Sequence, residues 1–132
     1  MVRKGRMGAV LVLALGVGMA VPAWADCQNR IELGITAAGA AIDASGQSEA
    51  RAQGAQQRFR VSIDARVADG TVYEVFVNSQ LAGTITVALG VGELDLNNND
   101  GATLPAGVDP VCSITTVAVA SPGGEVILEG TF

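Results

Sequence analysis

The chain has 132 residues, no histidine and a formal net charge of −5. Arg3, Lys4 and Arg6 hold three of its eight basic side chains, so residues 26–132 carry five arginines, no lysine and all 13 acids, a net charge of −8. A surface of that sign repels nucleic acid and anionic lipid. Without histidine or lysine there can be no Ser-His-Asp or Cys-His triad, no histidine-ligated zinc or copper, and no Schiff base or Ser-Lys pair.

The first 25 residues have the layout of an export signal: a positive start at Arg3, Lys4 and Arg6, an apolar run from Met7 to Val21, and the small-x-small site Ala23-Trp24-Ala25. The apolar run falls short of the roughly 20 residues a membrane-spanning helix needs. Asp26 precedes Cys27, and an acid at that place argues against lipid attachment to the cysteine. The expected location is therefore the periplasm or the medium. Residues 26–132 suffice for one domain. In an oxidising compartment the two cysteines, Cys27 and Cys112, are expected to form an intramolecular disulfide, with an intermolecular bond as the rival.

Ile31, Leu33 and Ile35 alternate and suggest a first strand. The stretch 37–55 is rich in Ala, Gly, Ser and Gln, but Gly39, Gly46 and Gly54 would each cost a helix about 1 kcal/mol. It therefore reads as loose turns leading to a strand over Gln47–Gln53.

The clearest period-two pattern follows, with Phe59, Val61, Ile63, Ala65 and Val67 alternating with Arg58, Arg60, Ser62, Asp64 and Arg66. Turn residues at 68–70 and a β-rich run over 71–77 predict a hairpin with its loop at 68–72. Charge pairing across strands favours the register that sets Arg66 opposite Glu74, which also sets Phe76 opposite Asp64. Next come a turn over 78–82, a strand over 83–89 with Ile85, Val87 and Leu89 inward, a bend at Gly90-Val91-Gly92, a short strand over 92–96 and a polar loop over 97–110. The runs 111–120 and 125–131 close as a terminal hairpin across Ser121-Pro122-Gly123-Gly124. Phe132 reads as a plug for the core, since the chain lacks the length and aromatic girdles of a membrane barrel. About eight short strands and no helix predict an all-β, antiparallel β-sandwich or small barrel.

Two clusters are candidate sites. Asp95, Asn97, Asn99, Asp100 and Asp109 are oxygen-rich, and Asp95 to Gly101 is similar to the start of a calcium loop. However, glycine falls at the seventh position rather than the sixth, and Leu104 stands where the bidentate glutamate belongs. Turn chemistry accounts for the same residues, so no cofactor is expected beyond this calcium candidate. Arg58, Arg60, Arg66 and Phe76 form the second cluster, a patch that could contact a carboxylated glycan or an acidic peptide; a solvated face whose arginines neutralise the surrounding acids is the simpler reading. The 13 acids could supply a glycosidase-like carboxylate pair, but none sits where burial would raise its pKa.

Asp69-Gly70-Thr71, Phe76-Val77-Asn78, Gly83 to Val87, Gly92-Glu93-Leu94 and Ile127 to Phe132 resemble a pattern in small exported bacterial β-domains of no assigned activity. Those domains often carry glycine after the asparagine of the first turn, where this chain has Ser79. The resemblance implies fold and export, and it transfers no functional residue. The expected function is that of a non-catalytic binding or interaction module of the cell envelope, monomeric and without a membrane span, its partner a glycan or an envelope protein. The alternatives are a structural subunit assembling through strand edges and a carboxylate-based hydrolase.

Overall fold

A computed structural model describes residues 26–132, so the expected export signal lies outside the described residues. In chain order the elements are β1 (Cys27–Glu32), β2 (Gly34–Ile35), α1 (Ala37–Ala41), β3 (Ser45–Gln53), β4 (Gln56–Asp64), β5 (Val72–Val77), β6 (Gln80–Thr86), β7 (Val91–Asn97), β8 (Thr116–Ala120) and β9 (Val126–Thr131). All pairings are antiparallel. One sheet runs β1-β3-β4-β7 and the other β2-β9-β8-β5-β6, so the protein is a β-sandwich.

Alternation places the core. Phe59, Val61 and Ile63 enter it from the four-stranded sheet, and Tyr73, Val75, Val77, Ile85, Val117, Val119 and Leu128 from the other, all at most 5% exposed. Each such aliphatic or aromatic side chain contributes about 1.5–3 kcal/mol on leaving water.

The expected hairpin between the runs at 58–67 and 71–77 does not form. β4 pairs with β3 and β7, whereas β5 pairs with β6 and β8 in the opposite sheet. The connection leaves the sheet at Ala65, whose N–H donates to Gly90 O at 2.9 Å, and the next amide, Arg66, donates to Ile42 O at 2.7 Å. Both runs keep their apolar sides inward, so the alternation is satisfied by layers that face each other as well as by strands that adjoin.

Both sides of the sandwich close at a corner. On one side β1 and β2 are almost continuous, and the chain changes sheet around the buried Leu33, whose N–H still donates to Gly46 O. On the other, β6 passes to β7 through Leu89-Gly90, with Ala88 bridged to Val91. A Cβ on Gly92 would lie 2.4 Å from Ile85 Cγ2, and one on Gly83 2.9 Å from Leu94 Cδ1. Only glycine lets these two edges approach so closely.

Several local expectations need correction. Leu89 points outward, 88% exposed, because it occupies a tight turn with φ 55° beside Gly90 at 80°. Ile35 is 52% exposed because β2 has already crossed to a sheet edge. The stretch 37–41 is one helical turn, capped by Thr36 Oγ1, which accepts from Gly39 N at 3.1 Å. Gly39 is buried against β9, and a Cβ there would come within 2.1 Å of Ile127 O. Asn78 and Ser79 have φ of 50° and 67°, so the β5–β6 hairpin uses a two-residue primed turn without glycine. The Asn78 carboxamide steadies it by accepting from the N–H groups of Thr115 and Thr116 and from Thr115 Oγ1.

Residues 98–115 cap one end of the core rather than hanging free. Leu104, Val108, Val111 and Ile114 are buried there, and Cys112 is bonded to Cys27 with a Cα–Cα distance of 5.8 Å. Phe132 is half-buried against the core, as expected for a plug.

Two stability measurements follow. Replacing Cys27 and Cys112 together by Ser opens an 85-residue separation and should lower the unfolding free energy in urea by about 4 kcal/mol on chain-entropy grounds. Leu89→Asn should raise it by roughly 0.5–1 kcal/mol, because asparagine tolerates positive φ and Asn-Gly suits a primed turn.

Candidate functional site

The outer surface of the four-stranded sheet is polar on every strand. Its cross-strand rows follow from register: Arg30 faces Glu49, Glu49 faces Arg60, and Arg60 faces Asp95. Charges thus alternate across four strands, and the side chains meet accordingly. Arg30 lies 3.6 Å from Glu49, Arg60 lies 4.0 Å from Glu49 and 2.8 Å from Glu93, and Arg58 grips Asp95 through both Nε and Nη2. The hydrogen bond and charge of Arg58 hold the Asp95 carboxyl below its ordinary range, and Asp95 in turn raises Arg58.

The next row sets Gln28, Arg51, Arg58 and Asn97 side by side. Arg51 and Arg58 are direct opposites, an unfavourable pairing of like charges. Arg58 is neutralised by Asp95. Arg51 has no ion-pair partner among the described residues. These two arginines edge a polar hollow of about 180 Å³ with Gln53, Gln56, Asn97 and Asn99. The cap segment shapes its rim through Gln57, whose Nε2 donates to Asp109 at 3.0 Å and whose Oε1 accepts from Val111 N at 2.8 Å.

The expected patch of Arg58, Arg60, Arg66 and Phe76 is split. Arg58 and Arg60 share the face just described, while Arg66 has left the sheet, is 84% exposed and meets Asp43 at 3.6 Å. Phe76 lies on the opposite surface of the sandwich, facing Leu81 and Ala118 rather than Asp64. The separation follows from β4 and β5 belonging to different sheets.

On that second surface Phe76 lines a groove of about 750 Å³. Ala118, directly opposite, is the small residue beside it, and Ser79, Thr116, Thr131 and Glu129 also line the groove. Leu81, 53% exposed, extends the apolar strip. Of the two half-buried aromatic residues among the described residues, Phe132 packs against the core and Phe76 does not. Sequence reasoning singled out Phe76 but not its neighbours, because Ala118 and Glu129, which lie beside it, come from strands more than 40 positions away.

Three of the calcium candidates have hydrogen-bond partners within the protein. Asp95 is engaged by Arg58, Asn97 Oδ1 accepts from Asn99 N at 3.0 Å, and Asp109 accepts from Gln57. Asp100 sits in an exposed turn at φ 55°. Among the described residues no cluster of three or more acidic, cysteine or histidine side chains could hold a metal ion. No helix there is long and apolar enough to cross a membrane.

The lowered Asp95 pKa has a pH consequence. A carboxyl depressed by folding stabilises at neutral pH, and that contribution disappears as pH falls through the depressed value, below about pH 4. Asp95→Asn should therefore flatten the acid limb of a melting-temperature profile below about pH 4, with a small effect at pH 7 because the pair is exposed. No protein-family model matches the chain, and neither curated proteins nor solved structures yield a match.

Proposed function

We propose that this protein is a non-catalytic, exported binding module of the bacterial cell envelope, and that it holds glycan in the groove over Phe76. One observation carries the reading: a half-buried aromatic ring outside the core cluster lines a groove on a sheet surface, with Ala118 beside it and hydroxyls and one carboxylate around it. Sugar rings present apolar faces edged by hydroxyls, and recognition sites combine an apolar platform with a few fixed polar groups. The disulfide suits an oxidising compartment, in keeping with export.

Assembly through strand edges has less support. β1 runs on into the opposite sheet through β2, and β6 and β7 lie against each other at the glycine corner, so much of each edge is shielded. Hydrolysis by paired carboxylates also fares poorly. Glu32, Asp64 and Glu93 do line one depression, but Glu93 is held by Arg60 at 2.8 Å and Asp64 accepts from Ser45 Oγ at 3.5 Å.

Retention of purified protein on insoluble cell-wall glycan tests the proposal. Phe76→Ala should weaken retention at least about tenfold, the equivalent of 1.4 kcal/mol, while Phe76→Tyr keeps it and both variants show the parent's circular dichroism. Failure of the parent protein to bind, or equal binding by Phe76→Ala, would defeat the reading.

A further inference from the structure

The hollow between Arg51 and Arg58 is a second site, and it owes nothing to the Phe76 groove on the other side of the molecule. Residues 26–132 carry a net charge of −8, yet no carboxylate lines this hollow. Three acids bond to the residues around it: Asp95 to Arg58, Asp109 to Gln57, and Asp26 to the Gly54 N–H at 2.8 Å; of these only Asp95 is paired with an arginine.

The donors, by contrast, are in excess. Arg51 brings a guanidinium with five N–H groups and no partner among the described residues. The Asn97 oxygen is consumed by Asn99 N, which leaves its NH₂ group to donate. Gln53 and Gln56 add adaptable amides. Arg51 stands directly opposite Arg58, whose own carboxylate, Asp95, lies on β7 on its far side, so an anion placed between the two guanidiniums would give Arg51 an ion-pair partner and relieve their repulsion.

The volume narrows the ligand. About 180 Å³ equals roughly six water volumes at about 30 Å³ each, enough for a small group and too little for a long anionic polymer segment. The lining offers amides and guanidiniums rather than hydrocarbon, so the part of the ligand next to its anionic group must itself be hydroxylated.

We propose that this hollow binds the carboxylate of a sugar acid, the anion bridging Arg51 and Arg58 while the Gln and Asn amides take the neighbouring hydroxyls. The test is an amide-resolved NMR titration of the disulfide-bonded protein with D-glucuronate at low ionic strength. Saturating shifts are expected at residues 51, 53, 56, 58, 97 and 99, with none from D-glucose at equal concentration. Arg51→Gln should weaken binding at least tenfold, whereas Arg66→Gln and Phe76→Ala leave it unchanged. The last variant separates this site from the glycan groove, so either proposal can fail alone. Shifts that rise linearly without saturating, that glucose reproduces, or that survive Arg51→Gln would overturn the inference. So would tighter binding of N-acetylalanine, which would assign the hollow to peptide carboxylates instead.

Discussion

The contact between two apolar layers governs everything else in this molecule. Phe59, Val61 and Ile63 from one sheet form a single cluster with Val75, Val77, Ile85 and Leu128 from the other. Because side chains alternate strictly along a strand, burying one set forces the intervening set outward. Arg58, Arg60 and Ser62 reach solvent for that reason, and so does Phe76, on the reverse side. The chemistry of each outer surface is therefore a by-product of where the core must lie.

The outer charges then act on register rather than on gross stability. Exposed ion pairs are each worth about 0–1 kcal/mol, far less than the buried aliphatic residues contribute. A slip of one residue in β3 against β4, however, would turn Ala50 and Ala52 to water and bring Glu49 and Arg51 inward. The alternating row Arg30, Glu49, Arg60 and Asp95 is consistent only with the observed pairing. Arg51 opposite Arg58 is the one place where that register is electrostatically unfavourable, which is why it stands out.

Much of the fold was readable from the residues. Period-two alternation identified the inward side of β4 and β5, the terminal hairpin of β8 and β9 was placed by Ser121 to Gly124, and the cysteine pair was assigned from compartment logic. Partners were the failure. Alternation says which side of a strand is buried, and it is silent on whether the next apolar run lies alongside or across the core, so the sequence pairs Arg66 with Glu74 in a hairpin that does not exist. Leu89 misled for a related reason: a hydrophobic residue in a primed turn breaks the usual chemistry of such turns, and only the backbone dihedral reveals it. The two candidate sites were half visible. Phe76 and Arg58 belong to them, but Ala118 and Arg51 become meaningful only through long-range pairing.

The corner at Gly83 and Gly92 has a geometric result for anything the protein meets. By letting the sheets fold shut there, these residues hold the two broad surfaces back to back, with about 10 Å between layers. An object resting on one side leaves the other unobstructed. A body of this shape can sit between two neighbours as a spacer, touching both at once with neither crowding out the other.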